Sequence, residues 1–165
     1  MSTKQGSNTE NLREIERDIA SVLIFSSDGR LLMGRKDPDK GGVYLNAWHI
    51  PGGGVEGGES LVEAAIREAN QETGLKLASE QLTFVPIVGE GQTIKTLENG
   101  EKVWCKMKFN RFKVSLDVTA EGLSQKIRPG DDLVELRWFS SEELKDVEQI
   151  PGGREFFTKA GYVPS

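Results

Sequence analysis

The stretch GGGVEGGESLVEAAIREANQETGL, residues 52–75, decides how this chain is read. Its first third is too rich in glycine for a helix or a regular strand interior, so it predicts a loop. From about Ser60 to Thr73 the pattern changes: Leu61, Val62, Ala65, Ile66 and Ala69 form an apolar stripe at the 3.6-residue period. Gly74 stands where a left-handed C-terminal cap is wanted. On this helix Glu68 and Glu72 are four residues apart and therefore neighbours. Both flank the apolar stripe instead of occupying the opposite, solvated face. Two like charges at the edge of a core repel unless something positive lies between them. A hard divalent cation with oxygen ligands meets that need, and bare backbone in the glycine loop can add a carbonyl. Backbone N–H groups at the helix start suit a phosphate. Carboxylates beside such a loop are the ingredients of metal-assisted phosphate chemistry.

Working outward, residues 1–10 are polar and lack apolar periodicity, which predicts a flexible N-terminal tail before a single domain over 11–165. The run DIASVLIFSS (18–27) reads as a strand buried on both faces. Asp28-Gly29 supplies hairpin turn chemistry, and LLMGRK (31–36) is read as the returning partner. Residues 37–47 are loop-like. Downstream, Leu82 to Thr96 reads as a strand, and Glu98-Asn99-Gly100-Glu101 as a turn. Val103, Cys105, Met107 and Phe109 then share one parity, while Phe112, Val114 and Leu116 share the other, which predicts a bulge near Asn110-Arg111. Leu133 to Phe139 reads as another strand, Ser140-Ser141-Glu142-Glu143 as a capped helix start, and Arg154 to Lys159 as a short last helix. Strands and helices mix without regular βαβ alternation, so the fold class is α/β with a mixed β-sheet.

Composition narrows the function. Of 165 residues, 21 are basic and 26 acidic, giving a net charge of −5, a poor platform for wrapping nucleic acid. One histidine rules out a metal site needing two imidazoles, and one cysteine rules out an internal disulfide. The longest apolar run, Ile19 to Phe25, is too short to cross a bilayer. These features predict a cytoplasmic protein with no nucleic-acid or membrane partner. Gly52, Gly54 and Gly57 match a dinucleotide-binding fingerprint, but an Asp-Gly hairpin and Pro51 precede them where a strand should lead straight into a βαβ unit.

With these residues set out, the segment resembles the Nudix box, G-x5-E-x7-R-E-U-x-E-E-x-G-U, where U is aliphatic. Gly53, Glu59, Arg67, Glu68, Glu72, Gly74 and Leu75 stand at its fixed positions, and Trp48-His49-Ile50-Pro51-Gly52-Gly53 resembles the family's lead-in. The resemblance implies a Nudix fold, an α/β/α sandwich. It implies a hydrolase that cleaves the pyrophosphate linkage of a nucleoside diphosphate joined to another group, by water attack at phosphorus, with Mg²⁺ or Mn²⁺. It assigns the Gly52 carbonyl, Glu68 and Glu72 as metal ligands, with Glu68 and Glu72 catalytic. Gly53, Glu59, Arg67 and Gly74 take structural roles within the box. A further acidic ligand is expected from Asp131 or Asp132, with Glu135 behind them, and Asp132 is favoured. Arg35, with Lys36 beside it, and Trp48 are the candidates for contacting a small-molecule nucleotide. Many relatives are dimers, so a homodimer is an open expectation.

One position departs from the pattern: Gln71 replaces the first glutamate of the Glu-Glu pair. A neutral amide is a weaker ligand for a hard cation, which leaves a Nudix-fold nucleotide binder or sensor as the rival reading. A GDP-mannose-type glycosyl hydrolase is a further alternative, but that branch also departs at the position of Glu68. Branch markers outside the box are not evident, so nucleoside triphosphates and nucleotide sugars both stay open as substrates.

Overall fold

Ala20, Val22, Leu23 and Ile24 are all buried, and β1 (Arg13–Phe25) runs through the middle of the sheet as the apolar run requires. The computed structural model describes residues 11–37, 39, 47–147 and 153–162, so the tail over 1–10 and most of the loop over 37–47 lie outside the described residues. β1 begins earlier than its apolar core suggested, because Arg13 to Asp18 continue a parallel ladder with β6 (Lys102–Ser115) that extends unbroken to Phe25. Backbone pairing carries this polar part of the strand, leaving its hydropathy uninformative.

β1 meets β2 (Leu31–Lys36) antiparallel at the Asp28-Gly29 turn, with Phe25 opposite Leu31. Beyond that turn the expected hairpin opens. The short β4 (Gly52–Gly54) lies against β1, while β2 is flanked by β3 (Trp48–His49) and β7 (Leu133–Phe139). β5 (Thr83–Thr96) pairs antiparallel with β6 and is the outer strand on that side, so the sheet is mixed.

The parity change in β6 has a different cause from the one expected. β6 holds its register with β1 straight through Asn110 and Arg111. Phe112 and Val114 point to the face covered by α1 (Leu61–Thr73), whereas Met107, Phe109 and Arg111 point to the other face, toward α3 (Gly153–Lys159). A strand sandwiched between two helical layers buries one face at one end and the other face further on, so no inserted residue is needed. The irregularity lies instead in β5, between Val85 and Gly89, opposite Asn110.

Each layer has its own core. Ala64, Ala65 and Ala69 of α1 pack with Ala20, Val22 and Phe112, joined by Leu123 of α2 (Ala120–Leu123). Phe156 and Phe157 of α3 pack with Leu23, Met33 and Phe139. The result is an α/β/α sandwich around a mixed sheet. Cys105 is buried in it. Among the described residues, no helix is long and apolar enough to cross a membrane.

Candidate active site

α1 opens with a reciprocal cap: the Glu63 N–H donates to Ser60 Oγ at 3.1 Å, and the Ser60 N–H to Glu63 Oε1 at 2.9 Å. It closes on Gly74 in the left-handed conformation, φ 81°. Fixed at both ends, the helix lays its alanines on the sheet. Small alanines let it sit close, which brings Glu68 and Glu72, on the same side, down onto β4. Both are buried, Glu72 to 3 % exposure.

Each glycine of β4 has a neighbour where a side chain would be: Ser21 of β1 at Gly52, the Arg17 guanidinium at Gly54 and the Glu68 carboxylate at Gly53. A Cβ on Gly53 would stand 2.5 Å from Glu68 Oε1. The Gly52 N–H, on the edge of β4 turned away from β1, donates to Glu72 Oε1 at 2.9 Å. A strand residue directs its N–H and C=O to the same edge, so the Gly52 carbonyl also faces the helix. Gly54 uses that edge to accept from Arg67 Nη2 at 3.1 Å.

Arg67 ties the loop to the helix. It forms a two-pronged pair with Glu59 (Nε–Oε2 2.6 Å, Nη2–Oε1 3.0 Å) and donates through Nη1 to Glu68 Oε1 at 2.8 Å and to Gln71 Oε1 at 3.2 Å. These bonds lower the Glu59 pKa and raise that of Arg67. Gln71 is therefore engaged by Arg67, at the exposed margin of the helix.

The third acid comes from the connection into β7. The C-terminal carbonyls of α1 lack helical partners, and this connection supplies them: the Arg128 N–H donates to Thr73 O and the Gly130 N–H to Glu72 O, each at 3.1 Å. The next residue, Asp131, has φ 58°, the one positive φ at a non-glycine among the described residues. Aspartate tolerates that region better than most residues. One carboxylate oxygen each from Glu68, Glu72 and Asp131 lie within 4.8 Å of one another. The favoured Asp132 instead directs Oδ2 toward Lys36 Nζ, 3.7 Å away. Asp131 was legible as a candidate in the Asp-Asp pair, but its positive φ and its place beside Glu68 and Glu72 were not.

Burial pushes the Glu72 carboxyl up to about 8; the Gly52 N–H opposes this, and the negative charges of Glu68, Asp132 and Asp131 add to it. Three acids so placed, two of them buried, with a carbonyl facing the same gap, form an all-oxygen donor set that fits a hard divalent cation.

The cluster forms one wall of a cavity of about 420 Å³, a volume suited to a small molecule. Trp48, Phe109, Phe156 and Arg111 line other parts of it, as do Lys36 and His49. Trp48 packs edge-on against Phe139 at 5.1 Å between centroids. His49 Nδ1 lies 3.1 Å from the Ile50 carbonyl, and burial lowers its pKa. Arg35 does not line the cavity; its guanidinium pairs with Glu135 at 3.0 Å. Lys36 is the neighbour that faces inward. Sequence reasoning missed Arg111 altogether, although its parity with Met107 and Phe109 was available.

The model of the NUDIX domain matches residues 16–160 of this chain. The chain belongs to the Nudix family. Consistent with that, it is 42 % identical over 143 residues to a protein of Novosphingobium aromaticivorans named RNA pyrophosphohydrolase, covering 79 % of this chain and 81 % of the relative. It is 28 % identical to a nucleoside triphosphatase NudI of Escherichia coli, covering 78 % and 85 %. The fold is similar to that of the E. coli dihydroneopterin triphosphate pyrophosphohydrolase (TM-score 0.63, 20 % identity, 86 % and 92 % covered). It is also similar to that of a MutT protein from Methanosarcina mazei Go1 (TM-score 0.62, 22 % identity, 92 % and 96 % covered). This Nudix hydrolase thus carries the family's box on α1 and the loop before it.

Proposed function

We propose that this protein hydrolyses the pyrophosphate linkage of a small nucleotide, of nucleoside triphosphate or nucleotide sugar type, by water attack at phosphorus in a Mg²⁺- or Mn²⁺-dependent reaction. The observation that carries the reading is the convergence of Glu68, Glu72 and Asp131 within 4.8 Å on the wall of an aromatic-lined cavity. Those three side chains, with the Gly52 carbonyl, are the residues that would hold the cation. When bound, it supplies Lewis-acid polarisation of phosphoryl oxygens and makes water a better nucleophile.

The chain's own residues do the rest. Arg67 fixes the orientation of Glu68, and the Gly52 N–H fixes one oxygen of Glu72. The second Glu72 oxygen keeps no hydrogen bond among the described residues, so Glu68 and Glu72 are the carboxylates available to take the proton of the attacking water. Lys36 offsets the charge of Asp132 at the rim. Trp48 lines the cavity on the β3 side, where its indole is available to contact the substrate. A net charge of −5 and a cavity of mononucleotide size support a small-molecule substrate, and we take the protein to act in the cytoplasm.

Product analysis by mass spectrometry tests this. Purified protein and Mg²⁺ are incubated with triphosphates, ADP-ribose, nucleotide sugars, dinucleoside polyphosphates and a 5′-triphosphorylated RNA oligonucleotide, with Glu72→Gln as the blank. Release of a nucleoside monophosphate from a small nucleotide by wild type alone is the expected result. Turnover confined to RNA ends would overturn the small-molecule reading. Binding without turnover across the panel would replace hydrolysis by the sensor reading.

A further inference from the structure

Arg111 is a cation in an unusual setting. It sits on the cavity face of β6, half-buried, and among the described residues its guanidinium makes neither a hydrogen bond nor an ion pair. Stacking holds it instead: the guanidinium carbon lies 3.9 Å from the centre of the Phe156 ring and 5.6 Å from that of Phe109. On the side of β5 it lies over Gly89, where a Cβ would stand 3.0 Å from Nη1. A stacked guanidinium is engaged through its face, which leaves the N–H donors along its edge free. Half-buried on the cavity wall, those donors stay open to the cavity and are available to an acceptor that arrives with the ligand.

The position of the fork says which acceptor. Glu68 and Glu72 stand over β4, and the Arg111 guanidinium lies over Gly89 on β5, three strands away in the order β4-β1-β6-β5. At about 4.8 Å per strand that is on the order of 14 Å. Adjacent phosphates of a polyphosphate chain held at the acids do not reach so far, whereas the base at the other end of a nucleotide does. The surrounding wall, Phe109, Phe156 and Met107, is also what a base needs. Because arginine has donors and no acceptor, it matches a base edge that carries two adjacent acceptors. Among the purines, a 6-oxopurine offers O6 and N7 on that edge, while adenine offers N7 beside a donating amino group.

We propose that Arg111 is a specificity-determining residue that reads the O6 and N7 acceptors of a 6-oxopurine, making guanine-type nucleotides the preferred ligands of this cavity. The proposal rests on the reading that the cavity takes a nucleotide, but not on turnover. It is therefore tested by calorimetric binding of GMP, IMP and AMP to the metal-free protein, alongside kcat/KM for the corresponding triphosphates with Mg²⁺. GMP and IMP are expected to bind alike and roughly 5- to 150-fold more tightly than AMP. Arg111→Met, which keeps an apolar side chain over Phe156, is expected to bring the GMP:AMP ratio close to one. On wild type, 7-deaza-GMP lacks one acceptor and is expected to bind several-fold more weakly than GMP, a result independent of whether any variant folds. Equal affinity of wild type for GMP and AMP, or equal loss of all nucleotides in Arg111→Met, would overturn the proposal. Failure of every nucleotide to bind would overturn it too. Discrimination in binding without hydrolysis would sustain it while removing the hydrolase reading.

Discussion

Replacing Glu72 by glutamine separates what the site does for catalysis from its effect on the metal-free fold. Glu72 is 3 % exposed, and its carboxyl is raised from an ordinary 4.5 to about 8, chiefly by burial. A folded-state pKa above the unfolded one means that the native state holds the extra proton between those limits. The contribution is thus fully stabilising below about pH 4.5 and is lost as pH rises toward 8. Since pH 7 lies about 2.5 units above the unfolded-state value and still below the folded one, the metal-free protein forgoes on the order of 3 kcal/mol relative to low pH. A glutamine amide oxygen still accepts the Gly52 N–H and carries no charge. In EDTA at pH 7, Glu72→Gln is therefore expected to be more stable than wild type by on the order of 3 kcal/mol, or roughly 6–12 °C in Tm for a chain of this size.

The assay is thermal and urea unfolding of both proteins in EDTA from pH 5 to 8.5, repeated in Mg²⁺. Wild type should lose stability across that range in EDTA, and the variant should show a flatter profile. Added Mg²⁺, as a ligand confined to the native state, should stabilise wild type by about 2.7 kcal/mol at one hundred times Kd and so raise its Tm, and should do little for the variant. With a direct ligand removed, hydrolysis should fall by more than about 100-fold, since even supporting residues around a metal are worth 10- to 100-fold. If the variant in EDTA is no more stable than wild type, the placement of Glu72 as a strained buried acid is wrong. If Mg²⁺ stabilises both equally, the cation binds elsewhere.

Three further outcomes follow from the same geometry. Gly53→Ala should displace Glu68, because the new Cβ would stand 2.5 Å from its oxygen, and should weaken the Mg²⁺-dependent rise in Tm along with turnover. Asp131→Asn should weaken Mg²⁺ binding, read by titration calorimetry, by about tenfold or more, whereas Asp132→Asn should change it less, reversing the ranking drawn from sequence. Gln71→Glu should pair with Arg67 and leave kcat within a few-fold of wild type; a rise of a hundredfold or more in turnover would instead mark the present site as a decayed one.

What the sequence made legible were features encoded within one element. The 3.6-residue stripe, Ser60, Glu63 and Gly74 define α1 locally, and two glutamates on one flank of a helix show their relation without any knowledge of partners. What stayed hidden depended on other parts of the chain. The N-terminal half of β1 is polar, and only its ladder with β6 makes it a strand. The parity change in β6 looked like an insertion because hydropathy records burial without saying which layer does the burying. Asp131 and Asp132 are chemically identical neighbours. What sets Asp131 beside Glu68 and Glu72 is the path of the connection, tied by two backbone bonds to the end of α1 and carrying Asp131 at φ 58°.

Arg111 carries the same lesson into function. An arginine in the middle of a strand reads as a solvated charge, and its meaning here comes from Phe156, 45 residues later, and from the irregularity in β5 that puts Gly89 under its guanidinium. The Nudix box and Arg111 therefore divide the chemistry by where it is encoded. The box lies in one continuous segment because bond cleavage needs acids held by adjacent turns and a neighbouring loop. The far end of the cavity is assembled from β5, β6 and α3, elements distant in sequence. That division explains why the box could suggest a reaction while leaving the substrate undecided. Substrate choice depends on side chains that only the folded sheet brings together, and a donor-only group fixed by stacking is the feature there that can distinguish one base from another.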